Sequence, residues 1–231
     1  MKTIGLIGGM SWESTVEYYQ IINEEVKNRL GGLHSAKCLL YSVDFAEIEQ
    51  YQFEGDWDKA GELLGDVAIS LENAGADFIV ICTNTMHKVI GHMEEKISIP
   101  ILHIADATAN QIKKSNISTI GLLGTKYTME QDFYKSRLES SGIHVLVPNQ
   151  PERELVNKVI YEELCVGEIK QVSREYYKAV MERLVECGAE GIILGCTEIG
   201  LLVKQEDATV PLFDTTVIHA LEAVNKSLES K

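Results

Sequence analysis

The strongest constraint on this 231-residue chain is an internal duplication. The segment IGLIGG from Ile4 recurs as IGLLGT from Ile120, and Tyr18 and Ile22 recur in the same register as Tyr134 and Leu138. A second shared block, Gly75-Ala76-Asp77 followed by Ile79, Val80 and Ile81, is answered by Gly188-Ala189-Glu190 followed by Ile192, Ile193 and Leu194. A third closes each half, with Ile99-Pro100-Ile101-Leu102 set against Val210-Pro211-Leu212-Phe213. Each copy exceeds the ~20 to 50 residues of a solenoid unit, so the echo marks duplicated domains of roughly 100 to 120 residues.

Within each copy, short apolar runs alternate with amphipathic stretches. TIGLIGG, KCLLYSVDF, DFIVICT and IPILHI read as strands, with helices expected over 15–30, 58–74 and 85–95. The second half repeats the pattern with STIGLLGT, HVLVP, GIILGCT and VPLFD, and helices over 129–140, 152–163 and 173–187. Alternating β and α segments of this kind build parallel sheets covered on both faces. The expected fold is therefore α/β: two similar doubly wound parallel-sheet domains related by pseudo-twofold symmetry. If each closing strand and its helix belong with the other copy, the domains are 1–98 with 209–231, and 99–208. The cleft between them is the expected ligand site.

A formal net charge of −14, without a run of five like charges or a basic patch, argues against a nucleic-acid or anionic-membrane partner. Gly5, Gly8 and Gly9 interrupt the first apolar run, which is expected to be a first strand and not a signal segment. No stretch reaches the ~18 consecutive apolar residues of a membrane span. A soluble cytoplasmic protein is the expectation. The five cysteines are odd in number and form no C-x-x-C, and the histidines form no H-E-x-x-H, so neither a disulfide framework nor a metal site is expected.

Cys82 and Cys196 occupy matching places in the two copies, each ending an apolar strand and each followed by threonine. That places both thiols at the carboxyl edge of a parallel sheet, where ligands bind in open α/β folds. A helix start beside each is expected to lower the thiol pKa and to attract an anion such as an α-carboxylate. Thr83, Asn84, Thr85 and Thr197 add short polar donors. Free cysteine is otherwise most often a small buried hydrophobe, and Cys38, Cys165 and Cys187 are expected to be that. Two thiols on opposite sides of one carbon suit inversion: a thiolate removes the proton α to a carboxylate while the opposite thiol returns one.

The start Gly5-x-x-Gly8-Gly9 is not G-x-G-x-x-G and lacks the acidic partner of a dinucleotide site. It reads as a tight strand-to-helix turn, or as backbone N–H groups approaching a substrate carboxylate, with Met10 and Thr125 lining the cleft. His87, five residues after Cys82, could polarise the site or simply be hydrogen-bonded. Glu198, two residues after Cys196, could assist a thiol or hold a substrate ammonium, or merely favour a helix first turn.

At these residues the chain resembles the cofactor-independent aspartate/glutamate racemase family from end to end, through GLIGGMSWEST, CTNTMH and GCTEIGLL. The resemblance implies a two-domain α/β fold, no pyridoxal phosphate, no metal, Cys82 and Cys196 as the catalytic pair, and a homodimer acting on a small-molecule amino-acid substrate. Carried over by position, Thr83, Asn84 and Thr85 hold substrate beside the first cysteine and Thr197 and Glu198 beside the second. Gln52 reaches in from the loop after SVDF. Glu198 stands where glutamate racemases of the cell-wall pathway have histidine. The segment 44–56 contains no Lys or Arg, and EELCVG lacks a lysine that some relatives carry. The substrate set is therefore aspartate/glutamate or a broader range of amino acids. A diacid isomerase or hydantoin racemase of the same fold, and a non-enzymatic amino-acid-binding protein, are the alternatives.

Overall fold

In the computed structural model, which describes residues 1–229, the chain divides into two compact units. One is Met1–His103 together with the chain from His219 onward, and the other is Ile104–Ile218. The first unit runs β1 (Ile4–Gly8), α1 (Trp12–Leu30), β2 (Cys38–Ser42), α2 (Phe45–Glu54), α3 (Trp57–Asn73), β3 (Phe78–Ile81), a 3₁₀ segment Thr85–Val89, α4 (Ile90–Glu94) and β4 (Ile101–Leu102). The second runs α5 (Ile104–Lys114), β5 (Thr119–Gly124), α6 (Lys126–Glu130), α7 (Asp132–Ser140), β6 (His144–Leu146), α8 (Gln150–Glu162), α9 (Gln171–Glu186), β7 (Ile192–Gly195), α10 (Ile199–Leu202) and β8 (Leu212–Asp214). Helix α11 (Thr215–Leu228) begins in the second unit and ends in the first.

Both sheets are parallel, and their strand orders, β2-β1-β3-β4 and β6-β5-β7-β8, are the same arrangement drawn twice. The duplication read from sequence is thus a duplication of topology. Period-two alternation sorts the first sheet's side chains. Leu6, Phe78, Val80 and Cys82 share a core with Tyr18, Ile22 and Val26 of α1, whereas Ile7, Ile79 and Ile81 share another with Leu64, Val67 and Leu71 of α3. Burial on both faces is why these strands are continuously apolar. Tyr18 on α1 and its echo Tyr134 on α7 are both fully buried.

The closing strands do not exchange between copies. Ile79 pairs with Ile101, and Ile192 with Leu212, so β4 and β8 each complete their own sheet. The Pro100 and Pro211 carbonyls accept from Ile79 and Ile192 N–H at 2.9 Å, and this ladder would be lost if the strands crossed over. Only the helices behind them pass on. Ile104, Ala105, Ala109 and Ile112 of α5 join the second core, and Ala220, Ala223 and Val224 of α11 join the first. The crossings therefore fall after His103 and before His219, not at 98/99 and 208/209.

Two expected helices are broken. The stretch 85–95 is a 3₁₀ segment followed by the one-turn α4, and 129–140 is split at the extended residue Gln131 into α6 and α7. A helix also appears where a loop was expected, in α2. Asp44 caps it, accepting from Ala46 N–H at 3.1 Å, and Gly55 ends it in the left-handed conformation. Among the described residues no helix is long and apolar enough to cross a membrane.

Candidate functional site

In the first unit, Cys82 follows β3 directly. The pairing of Ile7 with Ile81 sets Cys82 opposite Gly8, and Cys82 N–H donates to Ile7 O at 2.9 Å. The chain then turns out of the sheet, with Thr83 N–H donating to Ile81 O at 2.8 Å. Thr83, Asn84 and Thr85 are all buried in the turn that leads to the 3₁₀ segment. His87 Nδ1 lies 2.9 Å from Thr83 O. Gln52 lies on α2, not on a loop, and its Nε2 is 3.1 Å from Met86 Sδ, so its amide abuts the segment following the cysteine. Met10 is buried in the core it shares with Ile81 and Met86.

The glycine turn at the end of β1 is occupied with its own structure. Gly9 has φ +92, and a β-carbon there would run into the Val43 carbonyl, so only glycine fits. Its N–H donates to Thr15 Oγ1 at 2.9 Å, which favours the turn reading over a carboxylate-binding one.

In the second unit, Gly124 pairs with Gly195, and Cys196 comes one residue later. Aligned through β1 and β5, Cys82 corresponds to Gly195, so the second thiol stands one residue further along its strand exit than the first. Thr125, next to Gly124, caps α6 by accepting from Thr128 N–H at 3.3 Å. Cys196 Sγ–H donates to Glu198 Oε2 at 2.9 Å, and Thr197 Oγ1–H donates to the same oxygen at 3.0 Å. All three side chains are buried. A carboxylate oxygen in contact with a thiol proton is a ready acceptor for it.

The thiols are not acidified. Burial pushes both up from the usual thiol value, and for Cys196 the nearby Glu198 carboxylate and Cys165 push further. The expected helix dipoles are weak because a five-residue 3₁₀ segment and the four-residue α10 follow the cysteines.

Of the other cysteines, Cys38 is half-buried, and Cys165 is half-buried against the second core. Cys187 caps α9 and is exposed, contrary to the packing role expected of it. Among the described residues no group of three or more His, Cys, Asp or Glu side chains is placed to hold a metal ion. What sequence reasoning missed is a cluster of buried rings in the first unit, His87, His103, His219 and Tyr18, drawn from distant segments with no shared motif.

Comparison with known proteins follows the same two sheets. The profile of the Asp/Glu/Hydantoin racemase family matches residues 7–223. The chain is 24% identical over 232 residues to the broad specificity amino-acid racemase RacX of Bacillus subtilis, covering 97% of this chain and 98% of that one. It is 60% identical to a Yersinia pestis protein provisionally described as an Asp/Glu racemase, whose crystal structure superposes with a TM-score of 0.92 over 99% of this chain and 100% of that one. An aspartate racemase homologue from Pyrococcus horikoshii is 36% identical, with a TM-score of 0.85 over 99% and 100% of the two chains. A match that runs through both sheets and both cysteine motifs makes this chain a member of the Asp/Glu/Hydantoin racemase family.

Proposed function

We propose that this chain is a cofactor-independent amino-acid racemase in which Cys82 and Cys196 serve opposite faces of the substrate's α-carbon. The observation that carries the reading is the pair of buried thiols, each at the exit of the third strand of twin sheets, one of them in contact with a carboxylate. The chemistry requires both sulfurs to reach the same carbon, and it balances without an external reagent. Glu198 takes the Cys196 proton across the 2.9 Å contact. The resulting thiolate removes the α-proton, and the C–H electron pair passes into the α-carboxylate as an enolate. The Cys82 thiol then gives its proton to the opposite face. Turnover leaves Cys82 as the thiolate and Cys196 as the thiol, which is the form that serves the other enantiomer.

Thiols held protonated by burial need a cation to ionise, and the substrate's own ammonium is the one the reaction brings. Thr83, Asn84, Thr85 and Thr197 are short hydrogen-bonding side chains suited to holding the α-carboxylate and ammonium. For the substrate side chain, a neutral or broad preference is favoured over an acidic one. Gln52 is a buried neutral amide against Met86. The broad specificity named for the Bacillus subtilis relative agrees with that choice. A homodimer and a cytoplasmic setting complete the reading. Trp12, Val16 and Tyr19 form an exposed apolar row on α1, and all five cysteines are free thiols, a state that a reducing compartment maintains.

The test is α-proton exchange in deuterated water with a panel of L- and D-amino acids, on the wild type and on Cys82→Ala and Cys196→Ala. Loss of inversion in both variants is expected. Racemisation that survives both substitutions would overturn the two-thiol chemistry, and binding without exchange in the wild type would make this an amino-acid-binding protein.

A further inference from the structure

His87, His103 and His219 are buried in the first unit, and the two-thiol chemistry uses none of them. Their rings are neighbours: His87 is 4.5 Å from His103 and 5.8 Å from His219, centre to centre. Hydrogen-bond chemistry fixes the proton positions. His219 Nε2 lies 2.9 Å from Leu102 O, and a carbonyl only accepts, so Nε2 carries the hydrogen. Nδ1 of the neutral ring is then an acceptor, and the Tyr18 hydroxyl donates to it at 2.9 Å. His87 Nδ1–H donates to Thr83 O at 2.9 Å by the same logic, which leaves Nε2 of the neutral ring without a hydrogen. Burial holds His219 neutral down to about 4 and His87 to about 3, so this pattern persists at neutral pH.

The residues joined in this way sit at three particular places. Thr83 adjoins Cys82, Leu102 ends β4 just before the chain leaves the unit after His103, and His219 is where the chain returns. Burying imidazoles and a phenol costs more than burying hydrocarbon of the same volume. Directional hydrogen bonds to two carbonyls, Thr83 O and Leu102 O, are what the polar groups supply in exchange.

We propose that His87 and His219 are positioning residues for racemisation: a clasp in which His219, anchored on the Leu102 carbonyl, backs the His87 ring that holds the Thr83 carbonyl, so that the turn leaving Cys82 aims its sulfur at the α-carbon. The inference rests on the two-thiol reading above. It predicts a one-sided defect, because the clasp touches the Cys82 exit and not the Cys196 exit.

The experiment follows deuterium entry into each enantiomer of the amino acid the wild type racemises fastest, scoring exchange with retention separately from inversion. Cys82→Ala identifies the enantiomer whose proton Cys82 removes. His87→Leu and His219→Leu abolish the donors, whereas His87→Asn and His219→Gln keep an N–H near Nδ1 and Nε2 respectively. In the leucine variants, exchange from the Cys82-served enantiomer is expected to fall on the order of tenfold to a hundredfold, the scale of a displaced reacting group. Exchange from the other enantiomer should stay within about twofold of wild type, and the amide variants should recover most of the loss. Circular dichroism and melting identify any variant that fails to fold, and the remaining histidine position then decides. Equal loss from both enantiomers, or amide variants as impaired as leucine ones, overturns the clasp while leaving the two-thiol reading intact. A wild type that exchanges neither enantiomer overturns both.

Discussion

Cys196 Sγ and Glu198 Oε2 lie 2.9 Å apart at the buried exit of β7, and the contact acts on the thiol in two opposing ways. The carboxylate's negative charge disfavours a thiolate beside it, after burial the largest influence on this group. The same oxygen is the nearest acceptor for the thiol proton. Glu198→Gln separates the two effects. Ionisation of Cys196, followed by thiolate ultraviolet absorbance, is expected to move to lower pH because the like charge is gone. Turnover is expected to fall about 10²-fold or more because the proton acceptor is gone. A variant that ionises more readily and also turns over faster would reduce Glu198 to a repulsive neighbour.

Acid sensitivity follows from the buried histidines. In the unfolded chain His219 titrates at 6.5, but in the folded unit only at about 4, so between those values the unfolded state binds more protons. Stability is therefore highest above pH 6.5 and is lost as pH falls toward 4, by up to about 1.4 kcal/mol per pH unit for one such group. His87, depressed to about 3, continues the loss below that window. Its charge and that of His219 oppose each other, so the two contributions do not simply add. Urea unfolding measured from pH 7 to pH 4.5 should show this slope in the wild type and a flatter one in His219→Gln. Parallel curves would mean that the carboxylates, and not this ring, govern the acid limb.

These cases also mark where sequence reading stops. The paired sheets were legible because burial on both faces forces uninterrupted apolar runs, and a duplicated run such as IGLIGG and IGLLGT is hard to hide. Helix α2 is written only in Asp44 and Gly55, its two caps. The thiols' resistance to ionisation was not legible, since it depends on total burial and on how short the following helices are. The clasp was beyond reach for a simpler reason. Tyr18 and His219 are 201 residues apart, and Leu102 and His219 are 117 apart, so no local spacing joins them.

A smaller effect isolates a local rule in the second unit. Asn149 and Glu152 form a reciprocal capping box at the start of α8. Asn149 Oδ1 accepts from Glu152 N–H at 3.1 Å, and Glu152 Oε2 accepts from Asn149 N–H at 3.3 Å. Glu152 also pairs with Arg183 of α9. Asn149→Ala should destabilise the protein by about 1 kcal/mol, while α-proton exchange per folded molecule stays unchanged. A loss well above that size in urea unfolding would show that the cap also holds the α8–α9 pair.

Glycine-to-alanine substitutions at two positions should act with opposite sign, and the difference bears on how Cys196 is held. A β-carbon at Gly195 would stand 2.7 Å from Leu123 O and 2.8 Å from Leu122 Cδ1, and the carbonyl cannot retreat without disturbing the β5–β7 ladder. Gly124, opposite it, is as confined, with its β-carbon position 2.9 Å from Gly195 O. Gly195→Ala is therefore expected to cost about 1 to 3 kcal/mol and to push the next residue, Cys196, out of line with Glu198. Gly91, exposed in α4, has nothing within 4 Å of such a carbon. There the same added methyl should stabilise by about 0.5 to 1 kcal/mol through the unfolded chain's lost freedom, with turnover untouched. Melting temperature and α-proton exchange on the two variants check both halves. If Gly195→Ala lowers the melting temperature yet exchanges at the wild-type rate, the glycine pair serves sheet packing alone and the sulfur is placed by the turn that follows it.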